Sequence, residues 1–124
     1  MSQLAELERL LGDGVTLITD PDITRSYSRD QAPFAESAPP TAVLLAKNAE
    51  QISIALKFAH EKKIPVVTRG AGSGLAGGAN STADSIVISL EKMNRIINID
   101  SANLIARVEA GVINLDLDNK VKEL

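Results

Sequence analysis

The sequence contains no cysteine and no tryptophan. Without cysteine there is no disulfide, no thiolate nucleophile and no Cys-based metal site. Aromatic residues fill only 2% of the 124 positions, so the core must come from Leu, Ile, Val and Ala. So few rings also argue against a stacking platform for single-stranded nucleic acid. The net charge is −3 and there is no long basic run, which argues against nucleic acid or an anionic membrane surface as a partner. No apolar run approaches the roughly 20 residues that span a bilayer. The opening residues MSQLAELERLLGDG are charged and amphipathic, unlike a signal peptide. The expectation is a cytoplasmic protein.

What is present fits a globular domain. Apolar residues make up 44% of the chain, and the length suits one domain better than two. Leu4, Leu7 and Leu11 recur at helical spacing over residues 3–11, with Ser2 as cap and Gly12 as stop. Residues 20–38 are polar and irregular, with one short helix expected around Ile23–Tyr27. After Pro39-Pro40, TAVLLA reads as a strand. Asn48 with Gln51 three positions on marks a helix start. Ile52, Ala55, Leu56 and Ala59 line one face of that helix. Pro65 opens the strand PVVT, so residues 42–68 read as strand, helix, strand, a unit that favours parallel pairing. SIVISL, IINI and LIARVE are three further strands, the last two joined as a hairpin by the turn residues Asp100–Asn103. A helix over 113–123 closes the chain. The class is α/β (α+β), a small mixed sheet flanked by helices.

Five of the eight glycines fall in nine positions, within VVTRGAGSGLAGGANS at 66–81. Such density needs a reason, because each glycine costs about 0.5–1 kcal/mol relative to Ala in a regular element. Gly72, Gly74 and Gly77 match the spacing G-x-G-x-x-G after a strand, a weak signal by itself. The Rossmann mechanism requires a helix opening at the loop, yet too little chain lies between Gly78 and the strand near Ile86. A P-loop is excluded because no Lys-Ser or Lys-Thr follows Gly77. What remains is a loop rich in accessible N–H groups, which makes an anion-binding concavity. Arg69 could add a positive charge there and Ser73 a hydroxyl donor.

RGAGSGLAGG resembles the pyrophosphate-binding loop of FAD-linked oxidases of the vanillyl-alcohol oxidase type, whose domain is the PCMH-type FAD-binding domain. YSRDQA at 27–32, PPTAVLLAKNAEQISIALKFAHEKKIPVV at 39–67 and VEAGVINLDL at 108–117 extend the resemblance. They are most similar to the branch containing D-lactate dehydrogenases and the D subunit of glycolate oxidase. The resemblance implies FAD held between two α/β subdomains. It assigns the pyrophosphate to Arg69, Gly70, Ala71, Gly72, Ser73, Gly74, Leu75, Gly77, Gly78 and Ala79. Pro39 and Met93-Asn94 fall in segments near the cofactor, and Gly111 in a turn where close backbone packing is expected. It divides the chain into a helical lead segment, 1–38, and the start of the FAD domain, 39–124.

The family's second glycine-rich segment, its substrate-binding cap and its catalytic histidines have no counterpart in these residues. The resemblance therefore implies the first part of an FAD domain, with FAD and the missing half of that domain or another subunit as partners. Some relatives attach FAD to a histidine in the loop; Ser73 holds that position, so FAD would be non-covalent. The implied reaction is oxidation of a 2-hydroxy acid of the glycolate or D-lactate type, with this chain inactive alone. The alternatives are a non-catalytic flavin- or nucleotide-binding module, or a structural remnant that needs a complementary chain. No residue here is assigned to catalysis or to a metal. His60, the only histidine, lies late in a helix with no nucleophile or carboxylate paired to it. Asp116 and Asp118 lack the glycine that a calcium loop needs and read as the solvated side of the last helix. Tyr27 and Asp30 read as packing and turn residues.

Overall fold

The computed structural model describes residues 2–124. Helix α1 spans Gln3–Leu11; the Ser2 hydroxyl accepts from the Ala5 N–H, and Gly12 ends the helix at φ +78°. Strand β1, Thr16–Ile18, follows. Pro21–Thr24 forms the short helix α2, running into a 3-10 turn at Arg25–Tyr27. Strand β2 is Ala42–Leu45, helix α3 is Ala49–Lys62 and strand β3 is Val66–Arg69. Strand β4, Ile86–Ser89, comes after the glycine loop. Strands β5, Ile96–Asp100, and β6, Ile105–Val108, form the hairpin, and α4 spans Asn114–Lys122.

The main sheet has the order β1-β2-β4-β3. Here β2 and β3 both run parallel to β4, and β1 pairs antiparallel with β2. The expected strand–helix–strand unit is therefore present, but β4 lies between its two strands. Residues Ala42–Leu45 and Ile86–Ser89 are buried throughout, as their nearly unbroken apolar runs require of central parallel strands. Strand alternation then assigns two cores. Ala42, Leu44, Ile86 and Ile88 pack with Leu7 and Leu11 of α1 and with Ala55 and Phe58 of α3. Val43, Leu45 and Val87 turn to the other face, where Ile18, Tyr27 and Val67 cover them.

One detail of α3 differs from the sequence reading: Leu56 is 47% exposed, and Phe58 takes the buried place. The expected cap forms, with the Asn48 side chain accepting from the Gln51 N–H and the Gln51 side chain reaching back to accept from the Lys47 N–H. Strand β1 is an element the sequence pattern does not mark, because three residues, exposed or half-buried, carry no alternation. The Asp100–Asn103 turn forms as expected: the Asp100 carboxylate accepts from both the backbone and side-chain N–H groups of Asn103. These bonds, the side-chain one first, hold the Asp100 carboxyl below its ordinary pKa. No helix among the described residues is long and apolar enough to cross a membrane.

Candidate cofactor-binding site

The glycine loop leaves the C-terminal end of β3, beside the C-terminal end of β4. Open α/β sheets present their ligand crevices at such strand ends. Gly72 and Gly77 have φ values of +71° and +80°, the left-handed region that glycine enters without steric cost. The other three loop glycines do not. Among the described residues, the N–H groups of Gly70 through Ala76 and of Gly78 donate to no protein acceptor. All of these residues except Gly72, which Arg69 covers, are exposed, so the loop presents them to solvent. A run of free amides on a positive-φ scaffold suits an anion.

Three of the expected site residues serve the loop from behind. The Arg69 guanidinium does not reach into the open side. It donates to the Arg29 carbonyl at 2.8 Å and lies 5.7 Å from the centre of the Tyr27 ring. Its tip covers Gly72 so closely that a Cβ there would sit 2.1 Å from the guanidinium. The Ala79 N–H points to the Asp30 carboxylate. Gly77 lies against Ala35, whose Cβ would be 3.1 Å from a side chain at that position. Leu75 is 76% exposed on the loop's crest.

A second element faces the loop. A groove of about 480 Å³ runs between Gly70, Ala71 and Ser73 on one wall and Ala110–Leu115 on the other. Gly111 fixes that second wall. Its N–H donates to the Met93 carbonyl at 2.7 Å, and a Cβ would lie 1.7 Å from the Leu90 carbonyl oxygen. The close packing expected at Gly111 is present, and Met93 serves it as a buried turn residue. Helix α4 begins on the same wall with Ile113 at its N-cap and no side-chain cap bond. In sequence, the only signal for this feature is an apolar residue at a position that favours Ser, Thr, Asp or Asn.

The remaining candidates lie elsewhere. His60 is exposed on α3. Asp118 pairs with Lys122 on the solvated side of α4. Tyr27 donates to Glu91 at 2.7 Å, which raises its pKa, with burial adding to the effect.

A mixed α/β sheet with an amide-lined loop at the ends of its parallel strands is an arrangement suited to a cofactor with an anionic group. Residues 40–124 match the family described as FAD binding domain, and the chain belongs to that family. Among its relatives is glycolate oxidase subunit GlcD of Bacillus subtilis, 40% identical over 96 residues, covering 77% of this chain and 20% of that protein. A D-lactate dehydrogenase of Archaeoglobus fulgidus is 41% identical over 97 residues, covering 76% of this chain and 22% of that protein. The solved structure of p-cresol methylhydroxylase superposes with a TM-score of 0.79 at 28% identity, over 98% of this chain and 24% of that one. The chain thus spans about a fifth to a quarter of the proteins it matches.

Proposed function

We propose that this chain is the pyrophosphate-holding part of an FAD domain in an oxidoreductase that acts on a 2-hydroxy acid of the glycolate or D-lactate class. The row of unpaired amides from Gly70 through Ala76, with Gly78, carries the reading. These amides and the Ser73 hydroxyl would hold the pyrophosphate. Arg69, Gly77 and Ala79 would keep the loop in shape, from the contacts they make behind it. The names of the glycolate oxidase and D-lactate dehydrogenase relatives support the substrate class. Bound flavin would supply the hydride acceptor. This chain's own share is to bind and orient the cofactor's anionic middle.

A complementary partner belongs to the same reading, whether from the same polypeptide or from another subunit. Ile97, Leu104 and Ile105 stand exposed on the β5–β6 hairpin and would meet it. Catalysis needs donor carbon, flavin and proton acceptor held together, so the 124-residue chain by itself should not oxidise a 2-hydroxy acid. The test is a flavin-fluorescence titration of the chain, alone and with the remainder of a relative's FAD domain. Saturable FAD binding that tightens in the mixture is expected. Binding in neither sample, or steady turnover of D-lactate or glycolate by the chain alone, would overturn the proposal.

Flavin held by such a complex should be released on acid precipitation, because Ser73 cannot form the histidyl link and the sequence has no cysteine. The yellow colour is expected in the supernatant. Colour that stays with the washed, denatured pellet would contradict this.

A further inference from the structure

The segment YSRDQA, residues 27–32, lies behind the glycine loop, where Tyr27 and Arg29 hold Arg69, Asp30 meets Ala79 and Gln31 meets Gly74. Asp30 is at its centre and is only 3% exposed. One carboxylate oxygen accepts from the Ala32 N–H at 2.8 Å, closing a tight local turn. The other faces the loop, where the Ala79 N–H donates to it at 3.5 Å. The backbone of Asp30 is itself pinned, its N–H donating to the Asn80 side chain at 2.9 Å. Next to it, the Gln31 N–H donates to the Gly74 carbonyl at 2.9 Å. Asn80 also donates from its side chain to the Glu36 carbonyl.

We infer that Asp30 is a positioning residue for the anion site: its carboxylate draws the amides at the far end of the loop inward and so leaves the remaining amides facing out. The inference rests on the proposed function for the identity of the anion. The reasoning is conformational. The loop is mostly glycine and alanine, so it has few side chains with which to fix its own shape. A free loop of this composition would sample many turns, most with amides pointing apart. A carboxylate is an acceptor with no donor, so it selects the one arrangement in which Gly77 and Ala79 turn inward. Arg69 lies close enough to offset the charge that would otherwise repel a phosphate. The bond to Ala32 is the largest cause of a lowered Asp30 pKa, with Ala79, Gly77 and Arg69 adding to it against the opposing effect of burial. The carboxylate therefore stays ionised at neutral pH. The order it imposes is present above its ordinary pKa and is lost as pH falls through the lowered value.

The test compares the chain with Asp30→Asn, both labelled with nitrogen-15, by amide spectra and by titration with inorganic pyrophosphate. The amide group of Asn keeps the size and one acceptor but places a donor where the carboxylate has none. In the variant, the amides of Gly77 and Ala79 should lose protection from exchange while those of β2 and β4 keep it. Pyrophosphate affinity should fall about tenfold, as expected for losing a charge-assisted bond. In the unaltered chain, the Ala32, Gly77 and Ala79 amide shifts should follow one carboxylate titration below the ordinary Asp range, and the variant should lack it. This pH series needs no folded variant. Unchanged protection and affinity in Asp30→Asn would overturn the inference, as would loop amides indifferent to pH in the unaltered chain. If pyrophosphate moves no loop amide in the unaltered chain but the variant still loses protection, the positioning role stands and the anion site falls.

Discussion

Replacing Gly111 by alanine is expected to destabilise the chain by about 3 kcal/mol, at the upper end of what overpacking costs. The geometry leaves little room for relief. The new methyl would stand 1.7 Å from the Leu90 carbonyl oxygen and 2.9 Å from that of Met93. Both obstacles are backbone, so no side chain can swing aside. Moving them breaks the bond from the Gly111 N–H to the Met93 carbonyl. It also disturbs the end of β4, whose residue Ser89 pairs with Arg69 at the root of the glycine loop. The variant should lose cofactor affinity as well as stability, although Gly111 is outside the loop. Urea unfolding curves measure the first effect. A midpoint within experimental error of the parent's would show that the 110–115 turn is not held against Leu90–Met93 in solution.

Gly72→Ala should have the largest effect on FAD binding of any single methyl added to the loop. A left-handed backbone costs a non-glycine residue roughly 1–2 kcal/mol. In addition, the methyl would displace the Arg69 guanidinium from its place beside Tyr27 and the Arg29 carbonyl. Together these should weaken FAD binding by tenfold or more, since about 1.4 kcal/mol is one decade. Gly74→Ala is the matched control. Gly74 has no positive φ, and its Cβ would meet only Asp30, at an ordinary 3.5 Å. Flavin titrations of both variants with the completed domain decide the matter. Equal affinities would mean that glycine density, and not the conformation of Gly72, is what the site requires.

The contrast between these two glycines marks how far the sequence could be read. Density located the loop, and strand context ruled out the Rossmann and P-loop mechanisms. Helix caps at Ser2 and Asn48, the Gly12 stop and the Asp100–Asn103 turn were legible because each rests on bonds within a few residues. Long-range geometry was not. The insertion of β4 between β2 and β3 depends on pairing Ile86 with Val66, about 20 positions back, and with Ala42, about 40 positions back. The rearward placement of Arg69 depends on Arg29 and Tyr27, again about 40 positions away. An arginine beside a glycine loop looks the same in sequence whether it faces the ligand or braces the turn. Leu104 adopts a φ of +57°, which nothing in its own chemistry announces, since bulky residues avoid that region.

The hairpin and α4 differ from the rest of the molecule in what they rest upon. No residue of α4 is buried, and β5 and β6 pair only with each other. Two-stranded ribbons are marginal in water by themselves. The hairpin and α4, on either side of the turn pinned at Gly111, should therefore open and close many times for each global unfolding of the four-stranded sheet, as low-stability regions do. One wall of the groove runs from the pinned Gly111 into the start of α4 at Asn114 and Leu115, while the other is rooted in the four-stranded sheet. A ligand bridging the two walls would spend part of its binding energy quieting the C-terminal end. Its affinity would then report how far that end has already been ordered by its neighbours.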